Sequence, residues 1–520
     1  MFEYPTLPCK VQFNREEYRD KVLGCWMGKN IGGTLGGPYE GKLEMNDVTF
    51  YTGLTDGKPL PNDDLDLQLV WLTAIERRGI WHINERTLGE YWLSYILGHM
   101  SEYGVCQANI RNGLIPPLSG SCNNERYKDS NGAWIRSEIW ACLFPGSPDE
   151  AAYYGYCDSC CDHAGDGIYA EMFTCALEAA AFVESDLQKL LDIALARIPQ
   201  DSQIARAVKI ARDAYAKKTP FKDARNQIWD TFNDGLHFRA AVNIGYVMLA
   251  LLYGEGDFGK TVALAVNCGD DTDCTAGTAG SVLGIIQGRK AIPEKWTKPI
   301  GDSIVTCTID TFSFSNVPAD INELTNRVIC CAYEAWAGNP QGLPSFTDGA
   351  TYVAPEYHEV LKTCLRADLL LWGRDPYSYI VELPSTKIFC HYDQGPYIQP
   401  GQPKKLAISA VATIGAARSV SVKLSLPDGW KATPSAGVSI PAKCDIVSPV
   451  EITLTPADNI SGGMVYIPVT VQLSDRLAPD AFNLPLQCGG PYEFDTNVPC
   501  QDWWEFDLLR NGHRRKDFRM

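Results

Sequence analysis

The sequence predicts an all-α bundle over residues 1–345, a helical connector over 346–375 and a smaller all-β sandwich over 376–520. Three observations carry this reading. Apolar residues recur at helical spacing through the first two thirds of the chain. After Pro376 the composition turns to short β-branched runs separated by Gly, Pro and Asp. The 520 residues are 45% hydrophobic and 21% charged, enough apolar surface for about three domains of roughly 100–200 residues each.

In the helical part, Leu65–Ile75, Asp186–Ala196 and Ile204–Ala216 place apolar side chains on one face. Ala176–Val183 and Ala276–Ile286 are built of small residues, which let helices approach closely. Clusters of Gly, Pro, Asn and Asp separate these segments. Gly24, Gly28, Gly32 and Gly36, spaced four apart, form a close-packing stripe on a helix that leads to Glu40. As a phosphate loop this segment is weak, because it lacks both GxxxxGK[ST] and a clean GxGxxG after a strand.

In the β part, Ala407–Val411, Val420–Leu424, Pro449–Leu454 and Val465–Leu473 read as strands. Turn signals stand between them at Pro427-Asp428-Gly429 and Ser461-Gly462-Gly463. Short strands punctuated in this way form an antiparallel sandwich. The C-terminal segment is aromatic, ends in a basic tail from Arg510 to Arg519, and reads as a terminal strand plus solvated residues.

Lys and Arg total 46 against 63 Asp and Glu, a net charge of −17. Phosphate binding needs a cationic face, so nucleic acid as a general partner and an anionic membrane surface are both excluded. No run reaches the roughly 18 apolar residues that span a bilayer; Gly245–Tyr253 is too short. The start, Met1-Phe2-Glu3-Tyr4-Pro5, has no basic region followed by an apolar one, and the reading is a cytoplasmic protein. A chain from which a leader had been removed would read the same. The 19 cysteines read as mostly reduced, buried thiols. Cys157-x-x-Cys160-Cys161 beside His163 has partial zinc spacing but no second CxxC, and reads as structural; Cys330-Cys331 reads as core.

Two acidic clusters stand at helix starts. In Pro61-Asn62-Asp63-Asp64-Leu65-Asp66, Asn62 is a natural N-cap and the aspartates fill the first turn, where the helix dipole favours negative charge. The cluster reads both as helix-start chemistry and as a ligand set. The second is Gly269-Asp270-Asp271-Thr272-Asp273-Cys274-Thr275, ahead of Ala276-Gly277-Thr278-Ala279-Gly280. Hard cations such as Mg²⁺ or Mn²⁺ take carboxylate oxygens. Asp271 and Asp273 are two apart, so a turn can aim both at one ion. A small-residue helix can carry them into the interior, where aspartates need a cation or hydrogen bonds.

Together these regions resemble the ADP-ribosylglycohydrolase family, of the dinitrogenase reductase-activating glycohydrolase type, over about residues 15–290. That family shows a glycine-rich first helix ending near a glutamate, an early (S/T)DD motif and a late GGDTDT motif. Their counterparts are Gly24–Glu40, Asn62-Asp63-Asp64 and Gly269–Cys274. The stretch Ser130-Asn131-Gly132-Ala133-Trp134-Ile135-Arg136 resembles the family's GNGxxMR segment. Asp162-His163-Ala164-Gly165-Asp166-Gly167 resembles the segment that carries a histidine near the ligand. The β part resembles, at Leu426-Pro427-Asp428-Gly429-Trp430, immunoglobulin-like modules appended to bacterial carbohydrate-active enzymes.

The resemblance implies a helical catalytic domain with two Mg²⁺ or Mn²⁺ ions. Asn62, Asp63, Asp64, Asp271, Thr272 and Asp273 would be the ligands, and Glu40, Asp64 and Asp66 the catalytic carboxylates. His163, Asn131, Arg136, Gly165 and Asp166 would contact substrate. The implied activity is hydrolysis of a glycosidic bond, by default an ADP-ribosyl one, by metal-activated water at the anomeric carbon. The partner would be a small glycoside or an ADP-ribosylated substrate. Four departures point to a divergent substrate or the loss of one metal: Asn62 for a hydroxyl residue, Leu65 after the pair, Cys274 for threonine, and Gly33 where an aspartate is usual. Two alternatives stay open: hydrolysis of another carbohydrate glycoside, and a catalytically inactive binding or scaffold protein. His163 also reads as a structural histidine, as does His237. Arg136 reads equally as an anion fork or as the partner of Glu138, and the aromatic stretch Phe144–Tyr156 as pocket wall or core.

Overall fold

A computed structural model describes residues 11–493 apart from 54–56, 98–100, 310–313, 315, 338–343, 365–373, 384, 414–417, 435, 444–448 and 461. The aromatic C-terminal segment with its basic tail lies outside the described residues.

The glycine helix, Arg15–Gly36, begins at Asn14, whose side chain accepts from the N–H groups of Glu16 and Glu17 at 3.0 and 3.1 Å. Its stripe packs on the late helix, Thr272–Gln287. A Cβ added at Gly24, Gly28, Gly32 or Gly36 would overlap the backbone of Gly284, Gly280, Ala276 or Thr272 respectively. Gly280 and Gly284 answer in kind, since a Cβ there would overlap Gly28 and Gly24. The two helices therefore touch main chain to main chain, nearer than any other residue would allow. The late helix is buried from Thr272 to Ile285. Around the pair pack Asp63–Arg78, Asp166–Ala181, Ala240–Gly254 and Ile321–Ala337. Trp26, Trp71, Trp92, Trp134 and Trp140 are fully buried among them, each worth about 2–3 kcal/mol of transfer free energy.

The periodic segments fold as their spacing predicts. Leu187–Leu195 is capped by Asp186, Gln203–Ala216 by Ser202, and Asp63–Arg78 by Asn62. The first part is not purely helical. Val11–Asn14 pairs in parallel with Ser345–Thr347 and antiparallel with Tyr352–Val353. The segment expected as a helical connector thus supplies two strands as well as the short helix Tyr357–Leu361. Long sequence separation hid this sheet. Phe13, buried on its first strand, packs its ring near Tyr18, Phe182 and Trp336 at 5.7, 6.4 and 6.1 Å.

The β part is two five-stranded sheets. One runs in the order Gly437–Ala442, Arg418–Leu424, Gly463–Leu473, Asp480–Cys488, Tyr397–Ile398. The other runs Ser378–Leu383, Thr386–Tyr392, Lys404–Ala412, Val450–Thr455, Lys431–Thr433. Pairing is antiparallel except between Asp480–Cys488 and Tyr397–Ile398. Alternate residues such as Val420, Val422 and Leu424 point inward and are buried. The sandwich docks on the bundle through a reciprocal amide pair. Asn123 Nδ2 donates to Gln487 Oε1 at 3.0 Å, and Gln487 Nε2 donates to Asn123 Oδ1 at 3.1 Å. Among the described residues no helix is long and apolar enough to cross a membrane.

Candidate metal centre

The glycine contact brings the start of the late helix beside the start of Asp63–Arg78. Asp64, Asp273 and Cys274 each present a ligand atom, all within 4.8 Å of one another. Asp64 is fully buried, and Asp271 and Asp273 are only 4% and 6% exposed. Asp271 Oδ2 accepts from Asn131 Nδ2 at 2.7 Å, and Trp134 Nε1 holds Asn131 in turn at 3.1 Å. Asp271 Oδ1 and Asp273 Oδ1 are buried without a hydrogen-bond partner among the described residues. Such oxygens cost free energy unless a cation or proton satisfies them. The hard, anionic donor set fits a divalent cation of the Mg²⁺ or Mn²⁺ type.

Burial, then the opposing charge of Lys29, then repulsion from Asp273 and Asp63 leave the Asp64 carboxyl raised to about 8. Burial, followed by Glu40 and Asp63, raises Asp273 to about 7. Burial and the neighbouring Asp273 and Asp64 charges raise Asp271 as well. Burial also pushes the Cys274 thiol up, so it stays protonated; its Sγ donates to Asp64 Oδ1 at 3.2 Å. Asp63 gives one oxygen to the Tyr103 hydroxyl at 3.0 Å. Glu40 stands at the rim, just past the turn Gly37–Tyr39, and burial with the Asp63 and Asp64 charges raises its carboxyl.

Other expected site residues have local duties. Asn62 caps its helix, accepting from Asp64 N–H at 2.8 Å, and its amide fills the space over Gly33, where a Cβ would overlap it. The Thr272 hydroxyl donates to the Gly36 carbonyl at 2.8 Å and ties the two central helices together. Asp66 Oδ2 accepts from the N–H groups of Cys307 and Thr308, both at 2.7 Å. Asp270, at φ 62°, accepts from Phe238 N–H and from Asn243 Nδ2 at 3.2 and 2.9 Å. His237, largely exposed, lies 3.6 Å from Asp270.

Of the five residues expected to contact substrate, Asn131 reaches the cluster. Arg136 is fully buried. Its Nε meets Asp158 at 2.8 Å, its Nη2 meets Asp162 at 2.7 Å, and it bonds the Gly132 carbonyl and covers the Trp92 ring. Its partners are these aspartates, not Glu138. His163 is also fully buried, with Nδ1 2.9 Å from Asp162 and Nε2 3.0 Å from Ser130 Oγ. Gly165 takes φ 56° at the start of Asp166–Ala181. Asp166 accepts from Gln203 N–H at 2.8 Å and caps a neighbouring helix. Phe144 and Tyr154 stack in the core at 5.0 Å, so the aromatic stretch is core there. Cys157 donates to Glu85 Oε2, and Cys160 and Cys161 to the Cys157 carbonyl, as structural thiols do.

The residue that sequence reasoning missed is Lys29. It is buried in the glycine helix, 3.1 Å from Asp64 and 2.8 Å from Glu138. A lone lysine inside the apolar run Trp26-Met27-Gly28-Lys29-Asn30-Ile31 was its signal. Gln68 completes the layer, donating to Glu138 Oε2 at 2.7 Å and to the Asp64 carbonyl at 2.9 Å.

The ADP-ribosylglycohydrolase family pattern matches residues 14–332, more than half of the chain. Among solved structures 31 chains match. One, named "ADP-ribosylglycohydrolase-related protein complex", is 18% identical with a TM-score of 0.43, over 61% of this chain and 99% of that one. No curated protein matches. With the paired acidic helix starts and the glycine helix all inside the matched span, the chain belongs to the ADP-ribosylglycohydrolase family.

Proposed function

We propose that this chain is a divalent-metal-dependent glycohydrolase that cleaves an ADP-ribosyl glycosidic bond at the Asp64–Asp271–Asp273 cluster. The observation that carries the reading is the buried, unpartnered oxygen on Asp273, which converges with Asp64 and Cys274, together with a second such oxygen on Asp271. Asp64, Asp271 and Asp273 would hold a Mg²⁺ or Mn²⁺ ion, with one oxygen of Asp63 beside them. When bound, such an ion orients sugar hydroxyls and lowers the pKa of water.

The protein's own groups supply the rest. Asn131 holds Oδ2 of Asp271 and leaves Oδ1 for the site. Tyr103 holds Asp63 in the same way. The negative field of the cluster stabilises the positive charge that develops at the anomeric carbon. Glu40, at the rim with a raised pKa, keeps a proton to higher pH than an ordinary glutamate and can pass it to the leaving group.

A second reading, hydrolysis of a carbohydrate glycoside other than ADP-ribose, is supported by Arg136. Its fork, suited to a pyrophosphate, is spent on Asp158 and Asp162. The test is turnover of ADP-ribosylated protein, small ADP-ribosyl conjugates and aryl glycosides, with and without Mg²⁺ or Mn²⁺, by wild type and Asp271→Asn. Metal-dependent release of ADP-ribose, lost in the variant, supports the first reading. Release from aryl glycosides alone moves the assignment to the second. Metal binding without any turnover leaves a binding protein.

A further inference from the structure

We propose that the cleft between the end of Asp63–Arg78 and the start of Glu85–Tyr95 is a second binding site, which takes a pyrophosphate-bearing ligand of the nucleoside diphosphate class. The inference does not rest on the metal reading above.

The chain carries a net charge of −17, yet Arg77, Arg78 and Arg86 meet in this cleft together with His82. It encloses about 500 Å³, and an adjoining cleft of about 610 Å³ shares Arg77, Arg78, Glu90 and Tyr91 with it. Both volumes suit a small molecule, whose sites run to about 300–1,000 Å³. The neighbouring acids are engaged elsewhere. Glu76 pairs with Arg327 at 2.7 Å, and Glu382 with Lys387 at 2.6 Å. Glu85 is buried and accepts from the Cys157 thiol. Glu90 is the one acid that lines the clefts, against three guanidinium groups. Arg78 and Arg86 are exposed, with no acidic partner among the described residues.

Helix ends account for two of the three arginines. Arg77 and Arg78 close their helix, where the dipole favours cations. Arg86 is the second residue of Glu85–Tyr95, where the dipole disfavours a cation. An anion bound there satisfies both Arg86 and the helix start. Arg77 is held in place without an acid: its Nη1 donates to the Tyr95 hydroxyl at 2.7 Å, and its guanidinium lies 5.7 Å from the Tyr95 ring centre. Guanidinium forks bind phosphate oxygens in pairs. Three forks in one cleft suit two linked phosphates, and Tyr91 offers its ring to a ribose or base.

The site is separate from the metal centre. Asp63–Arg78 has 16 residues, so its two ends stand about 22 Å apart. A ribose joined to a pyrophosphate at Arg78 does not reach Asp64. Asn84, in the cleft wall, donates to Glu382 at 2.8 Å, so the site lies where the bundle meets the strand Ser378–Leu383 of the sandwich.

The test is calorimetric titration of the full chain, at low ionic strength in EDTA. The probes are ADP, inorganic pyrophosphate, inorganic phosphate and a phosphate-free acidic peptide. ADP and pyrophosphate should bind more tightly than phosphate or the peptide, and added salt should weaken both. The paired variant Arg78→Ser with Arg86→Ser should bind ADP at least about tenfold more weakly, because two charge-assisted contacts are gone. Arg78→Lys with Arg86→Lys keeps the charge without the forks and should fall between. Asp271→Asn should bind ADP as wild type does. No ADP binding by wild type would overturn the inference. So would binding that the serine variant keeps or that Asp271→Asn loses, which would move the ligand to the metal centre. Phosphate as tight as pyrophosphate would overturn the ligand class, and a peptide as tight as ADP would make the cleft a docking surface for acidic protein segments. The lysine variant and Asp271→Asn decide the matter even if the serine variant does not fold.

Discussion

Gly28 and Gly280 face each other without side chains: a Cβ on either would overlap the carbonyl oxygen of the other. This contact, repeated at Gly24 and Gly284, sets how deeply the Asp271–Asp273 turn sits against the start of Asp63–Arg78. A methyl group there has no backbone-free space to enter. Gly28→Ala should cost about 3 kcal/mol, read as a lower urea midpoint. It should also weaken Mn²⁺ binding, because the carboxylates move apart with the helices. An unchanged midpoint would contradict the arrangement.

Asn131 acts on the metal through Asp271, whose Oδ2 it holds at 2.7 Å. Removing such an orienting partner weakens metal binding about 10–100-fold. Asn131→Ala should fall in that range by calorimetric titration. Asp271→Asn, which removes the charge itself, should lose binding outright. Equal, wild-type affinities in both variants would remove Asp271 from the site.

The buried carboxyls predict a pH dependence of stability. Asp64 is raised to about 8, and Asp66 and Asp273 to about 7, by burial first. Unfolded, each returns to about 4. The folded chain therefore binds more protons than the unfolded one between about pH 4 and pH 8, and metal-free stability falls as pH rises through that window. A divalent ion can replace the protons, so the fall should be smaller with Mg²⁺ present, and ion affinity should rise from pH 6 to 8. Thermal melts in EDTA and in Mg²⁺ across this range check the sign; a metal-free melting temperature that climbs with pH would contradict it.

Asp66 serves the backbone of Cys307 and Thr308, and an amide oxygen can still accept those bonds. Asp66→Asn should keep kcat/KM within about tenfold of wild type. Asp66→Ala, which leaves two N–H groups without their charged acceptor, should cost about 2–3 kcal/mol. A hundredfold loss in Asp66→Asn with normal stability would restore Asp66 as a catalytic residue.

Arg136 should matter for folding rather than for substrate choice. Arg136→Met strands Asp158 and Asp162 in the core, and loss of one partner of a buried pair costs about 3–5 kcal/mol. Chemical denaturation measures this directly. A stable variant that loses only its preference for pyrophosphate-bearing substrates would show that the fork reads the ligand after all.

Much of this was readable along the chain because its causes are local. Glycines four apart can line only one face of a helix, and they do. An Asn before two aspartates caps a helix because its oxygen reaches a free N–H two residues on. The four expected strands appear because β-branched alternation matches the pleat. Other features follow from elements far apart in sequence. The sheet of Val11–Asn14 with Ser345–Thr347 has no local signal, since each strand finds its ladder only when the ends of the bundle meet.

The same division runs through the site. Helix-start chemistry and the small-residue helix put each pair of aspartates at a helix start, and the family resemblance implied that the two pairs share one site. Only packing chose among the long and polar side chains. It gave Arg136 to Asp158 and Asp162, Asp66 to a distant loop, and Lys29 to Asp64 and Glu138. A buried charge must take whichever opposite charge the surrounding elements bring within reach. That choice is made between helices, where local sequence has no say.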